Sequence, residues 1–110
     1  DVFSEEALES YRAQFLEPER IHAMCEDYRA GAAIDRELDK QDQADGDLIK
    51  APLHFLYARS GFPAQTGNPL GLWRKWAEEV TGDPVDAGHF AQEENPDAML
   101  DSFLPFFRKD

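Results

Sequence analysis

The stretch Asp83-Pro84-Val85-Asp86-Ala87-Gly88-His89-Phe90-Ala91-Gln92-Glu93-Glu94-Asn95-Pro96 decides how this chain reads. Residues 83–87 have room only for a brief strand. Gly88 lets the backbone turn, and His89 is then presented on a loop. Asn95-Pro96-Asp97 opens a helix, with Asn as the cap and a proline whose missing N–H costs nothing in the first turn. A histidine at the C-terminal edge of a sheet can point into the crevice where open α/β folds hold ligands. Imidazole titrates near neutrality, which suits it to take a proton from water. A lone Gly-His pair is more often structural; the whole arrangement of strand, GHF, EE and NP carries the functional reading.

Working upstream, Asn68-Pro69 opens another helix, whose expected buried face is Trp73, Trp76, Ala77 and Val80, with Gly82 as its stop. Before it, Leu53-His54-Phe55-Leu56-Tyr57 is an apolar run of strand length that ends at Ser60-Gly61. Residues 35–50 read as an acidic connector closing on the turn signal Asp45-Gly46-Asp47. Ser4 is an N-cap with Glu5 and Glu6 in the positive first turn, and Pro18 starts a second helix. In that helix Ile21, Met24, Cys25 and Tyr28 repeat at the spacing of a buried stripe. Downstream, the last helix carries Leu100, Phe103, Leu104 and Phe107 on its buried face, and Pro105 should break or kink it.

The order is helix–helix–strand–helix–strand–helix. Its second half is the alternation that builds a parallel sheet. Parallel strands need cover on both faces, and two of them do not make such a sheet alone. The expectation is a sheet edge of a larger α/β fold, with strands 53–57 and 84–86 parallel and adjacent.

Composition narrows the function classes. The chain has 110 residues, 42% of them hydrophobic, and 13 aromatic rings (8 Phe, 2 Trp, 3 Tyr), enough to demand a core despite a formal net charge of −12. That charge disfavours nucleic acid and anionic membranes, which need clustered Lys and Arg. A single cysteine, Cys25, rules out an internal disulfide framework and fits a reducing, cytoplasmic location. The opening residues carry no signal-peptide pattern and no initiator Met, so the sequence is expected to begin partway through something. Metal readings fail: His22 and Cys25 give one ligand pair where a structural zinc site takes four. A calcium loop with Gly46 at its sixth position would put Gln41 first and Pro52 twelfth, which is wrong.

The 83–90 stretch resembles the last strand and catalytic-histidine loop of α/β-hydrolases. Two further segments, Met24-Cys25-Glu26-Asp27-Tyr28-Arg29-Ala30-Gly31 and Pro69-Leu70-Gly71-Leu72-Trp73-Arg74-Lys75-Trp76-Ala77, are similar to the haloacetate (fluoroacetate) dehalogenases of that superfamily. Cys-Glu-Asp-Tyr-Arg is the specific motif, since GHF loops are widely shared. The resemblance implies a C-terminal portion of an α/β-hydrolase fold. Residues 1–34 would be a helical segment from the end of the cap, 35–50 a connector, and 51–110 the strand-helix-strand-helix part of the core.

It further implies that His89 is the base activating water against an aspartyl ester, and that Tyr28 helps bind the departing halide. Without the resemblance Tyr28 would read as core, like Trp73 and Trp76. Cys25 reads as a small buried hydrophobe with no activating partner. The nucleophilic aspartate, the triad acid and the substrate-carboxylate arginines would lie upstream. The segment 58–68 supplies no acid, and no nucleophile elbow is present. The implied activity is hydrolysis of a short 2-haloacid with no cofactor or metal. The implied partners are the haloacid, its halide and the upstream part of the fold; apolar surface left uncovered on an isolated portion adds the expectation of a homodimer, aggregation or dependence on the upstream segment. The alternatives are an epoxide hydrolase using similar machinery, or an inactive truncated fragment with a structural or binding role.

Overall fold

The computed structural model describes residues 2–108, which divide into two compact units between Asp47 and Leu48. The first unit is helical: α1 (Glu5–Gln14), α2 (Pro18–Ala32) and α3 (Ile34–Asp45). Ser4 caps α1 as its sequence suggests, its side chain accepting from the Ala7 N–H at 3.1 Å, and Pro18 occupies the first turn of α2. The expected connector is largely helix. Its Glu, Leu, Lys, Gln and Ala residues are good helix formers, and the pairs Lys40–Glu37 (2.7 Å) and Gln41–Asp45 (2.8 Å) brace successive turns. Gly46 ends α3 in the left-handed conformation, φ 72°.

A second expectation also changes. The stripe on α2 is not buried: Ile21 is 39%, Met24 41% and Tyr28 82% exposed, and Cys25 is exposed as well. Helical spacing establishes which residues share a face, but burial needs a second surface to cover that face. Among the described residues of this unit that face stays largely uncovered.

The second unit contains β1 (Leu53–His54), β2 (Tyr57–Ala58), α4 (Phe62–Gln65), α5 (Pro69–Trp73), β3 (Val80–Thr81), β4 (Pro84–Val85), α6 (Ala91–Glu94) and α7 (Pro96–Phe107). β1 pairs with β3 and β2 with β4, both parallel, in the registers Leu53↔Val80 and Tyr57↔Pro84. The two ladders share one offset. Along them the N–H groups of Leu53, Phe55, Tyr57 and Arg59 donate to the carbonyls of Glu79, Thr81, Asp83 and Val85 at 2.8–3.3 Å. The parallel pair expected from the αβ alternation is present.

Its second strand begins earlier than expected. α5 stops at Trp73, and the chain joins the ladder at Ala77, which bridges Ile49, so Val80 is a strand residue. The spacing of Trp73, Trp76, Ala77 and Val80 mimics a helical stripe. The β-branched Val80 and Thr81 instead fit the pleated ladder, and tertiary pairing prevails over local pattern. Pro105 likewise does not stop α7, which runs on to Phe107. The carbonyl that Pro105 leaves without a helical donor belongs to exposed Asp101, where water can satisfy it.

A helix packs against each face of the ladder, leaving β1 and β2 half-buried. Phe55 stacks on Tyr57 (5.7 Å) and meets Trp73 of α5 (5.4 Å), while His54, on the alternate face, stacks on Phe106 of α7 at 5.0 Å. Ala77, Val80 and Val85 form the buried apolar core among the described residues. No helix of the described residues is long and apolar enough to cross a membrane.

Candidate active site

β4 ends at Val85, and the chain leaves the ladder towards His89 through Asp86, Ala87 and Gly88. Three polar interactions hold this departure. Arg59, just beyond β2, donates from Nε to Asp86 Oδ1 at 2.7 Å. Asn95 donates from Nδ2 to the Asp86 carbonyl at 3.2 Å, and its Oδ1 accepts from the Ala98 N–H at 3.3 Å, capping α7. One side chain therefore ties the start of the last helix to the end of the last strand.

Glu94 makes the third tie. Its two carboxylate oxygens accept from the N–H groups of Gly88 (2.5 Å) and Phe90 (3.1 Å), the residues on either side of His89. The His89 side chain lies on an exposed stretch with its ring edge-on to Phe90 at 4.9 Å. His89 thus sits on a solvent-facing loop beyond the C-terminal end of a parallel strand, as the sequence suggests. An imidazole so placed can take a proton from a water molecule.

Tyr28 belongs to the other unit. It lines an open groove of about 440 Å³ with Phe15, Ile21, Met24, Cys25 and Arg29, and the Arg29 guanidinium pairs with Glu26. The Tyr28 side chain is exposed and is not part of a core within that unit.

Sequence reasoning missed Glu94 and Asn95 as supports of the His89 loop. The signal lay in their positions: Glu94 follows Phe90 by four residues, within side-chain reach across one helical turn. It also missed a polar cluster about His54. His54 Nδ1 lies 2.8 Å from Thr81 Oγ1, and Nε2 lies 2.8 Å from Ser102 Oγ, which in turn donates to Asp83 at 3.2 Å. Among the described residues no group of three His, Cys, Asp or Glu side chains is arranged to hold a metal ion.

Comparison with known proteins agrees with this fold. No protein-family model matches the chain. It is 33% identical over 97 residues to a fluoroacetate dehalogenase of a Burkholderia species, covering 88% of this chain and 31% of that protein. A soluble epoxide hydrolase from Corynebacterium sp. (strain C12) is 32% identical over 115 residues, covering 97% of this chain and 35% of the relative. Among solved structures, a Pseudomonas aeruginosa protein assigned as an epoxide hydrolase superposes with a TM-score of 0.86 at 39% identity, over 97% of this chain and 36% of that one. The chain spans about a third of the length of these relatives. With its parallel strand pair, flanking helices and histidine loop, the chain belongs to the α/β-hydrolase superfamily, as a C-terminal portion of that fold.

Proposed function

We propose that this chain supplies the water-activating part of a hydrolase that dehalogenates short 2-haloacids such as haloacetate or fluoroacetate. In this reading an aspartate from the preceding part of the fold attacks the halogen-bearing carbon and displaces halide, leaving an aspartyl ester. His89 then takes a proton from water as that water attacks the ester carbonyl, and Tyr28 hydrogen-bonds the departing halide. Residues 1–34 act as the end of a cap, 35–50 join it to the core, and 51–110 carry the histidine loop. The chemistry draws on no metal or cofactor. The single exposed thiol, Cys25, suits a reducing cytoplasm. In this reading the chain works with the preceding part of the same fold, which supplies the nucleophile.

The observation that carries this reading is the exposed imidazole on a braced loop past the end of β4. The dehalogenase is favoured by the Burkholderia relative, matched over 88% of this chain. The test is His89→Asn in protein that carries the whole fold. Ester formation should survive and ester hydrolysis should fall by ~10²–10⁴-fold, the usual worth of a general base. One equivalent of halide per site should be released, and mass spectrometry should find the trapped aspartyl adduct. Steady turnover with no adduct would remove His89 from the role.

A second reading, epoxide hydrolysis, is favoured by the Corynebacterium relative and the Pseudomonas structure. The same histidine would hydrolyse the ester, while a tyrosine protonates the opened ring oxygen. Assaying a haloacetate and a simple epoxide side by side separates the two.

A further inference from the structure

We propose that Glu94 is the positioning residue of the His89 loop, holding the imidazole in register through the two backbone N–H groups that flank it. The inference rests on the reading of His89 as the base and extends it to a second residue.

Each carboxylate oxygen takes one N–H: Oε2 that of Gly88 at 2.5 Å, Oε1 that of Phe90 at 3.1 Å. The chain from Gly88 to Phe90 is pinned at both ends, and His89 is the residue between the pins. The Glu94 backbone adds a third tie, its own N–H donating to the Phe90 carbonyl at 2.9 Å. Neighbouring Asn95 is fixed to Asp86 and to α7, so the clamp is itself anchored.

The residue at position 88 fits this arrangement. A Cβ built on Gly88 would lie 2.8 Å from both Glu94 carboxylate oxygens. A side chain there would push the Glu94 carboxylate off the two N–H groups, and glycine leaves it room. Hydrogen bonds to an ionised acceptor are shorter and about twice as strong as neutral ones. The chemistry also requires a carboxylate. Glutamine has one acceptor oxygen, and its amide nitrogen would set a donor against an N–H. Glu94 is solvent-facing, so its worth lies in geometry more than in global stability. A base displaced by about 1 Å can lose roughly 10²-fold in rate.

The experiment compares Glu94→Gln, Glu94→Ala and His89→Asn in protein carrying the whole fold, with haloacetate as substrate. The halide burst counts the folded, alkylation-competent sites, and ester hydrolysis is followed by mass spectrometry per titrated site. Amide exchange at Gly88 and Phe90 is read alongside. Both Glu94 variants should keep the burst and KM, slow ester hydrolysis by about ten- to a hundredfold, and speed exchange at the two amides. Hydrolysis at the wild-type rate in Glu94→Gln would overturn the proposal, even if Glu94→Ala were slow, because an isosteric amide suffices for packing. If His89→Asn traps the ester while both Glu94 variants hydrolyse it normally, the clamp fails and His89 stands. If His89→Asn turns over normally, both readings fall together.

Discussion

At Gly82 a Cβ would lie 2.0 Å from the Phe55 carbonyl oxygen, so no other residue fits without moving a strand. The sequence shows this glycine plainly but reads it as a helix stop. Its actual task, close approach between two strands, depends on a neighbour 27 positions away. Gly82→Ala should therefore destabilise the second unit by about 2 kcal/mol or more, from backbone displacement and strain, seen as a lower urea midpoint. An unchanged midpoint would mean the strands can part there at no cost. Tyr28 offers a contrasting test. Because its side chain is 82% exposed, Tyr28→Phe should leave stability nearly unchanged. If the phenol hydrogen-bonds departing halide, the loss is worth about 1.5–3 kcal/mol, and single-turnover halide release should slow by roughly ten- to a hundredfold. Fluoride, the strongest acceptor and poorest leaving group, should suffer most. An unchanged fluoride rate would take Tyr28 out of the site. Among residues, the placement of His89 on a loop after a strand was legible because Gly88 and a capped helix frame it. Glu94 was less so: its spacing from Phe90 suggests reach, but its grip on the Gly88 N–H as well shows only once the chain turns back on itself.

Elements differ in how much their own residues decide. α1 and α7 begin at Ser4 and Asn95, where a side-chain oxygen meets an N–H three residues on, a wholly local event. α5 and β3 divide a segment whose local pattern suits a helix, and the division follows from pairing with residues 49–54. The His54 cluster shows what joins the elements. It links β1, β3, the β3–β4 turn and α7 through Thr81, Ser102 and Asp83. Ser102 donates to Asp83, which leaves its oxygen to accept from His54 Nε2, while Thr81 Oγ1 lies against both His54 Nδ1 and the Leu53 carbonyl. Ser102→Ala removes the middle of this cluster and leaves a polar atom of His54, a side chain only 9% exposed, without its partner. The expected cost is about 1–3 kcal/mol, with faster amide exchange in α7. A variant as stable as wild type would mean water replaces the hydroxyl fully.

For the whole molecule the decisive figure is how little is buried. Seventeen large apolar side chains remain more than a third exposed, against three buried apolar residues among those described. Leu100, Leu104 and Phe107 of α7 share one face, and Phe15, Ile21, Met24 and Tyr28 border one groove. Clustered apolar surface of this kind marks an association site, while the net charge of −12 opposes like chains meeting. The 110-residue chain should therefore self-associate, and more strongly as salt screens the repulsion, the Debye length falling to about 10 Å at 0.1 M. Sedimentation should show average mass rising with both concentration and ionic strength. A dilute monomer with a sharp two-state melt at low and high salt would contradict this.

From the sequence alone came the αβ alternation, the helix caps, the glycine before His89 and the motif resembling the dehalogenases. Each is a short-range pattern whose physics, a cap or a periodicity, is complete within a few residues. Tertiary structure alone decided that Val80 pairs in a ladder, that the α2 stripe is uncovered, that Glu94 grips both sides of His89 and that His54 bridges three elements. These depend on groups distant in sequence or on the presence of a covering surface, and neither is written in local spacing. Burial and hydrogen-bond partnership belong to the folded arrangement.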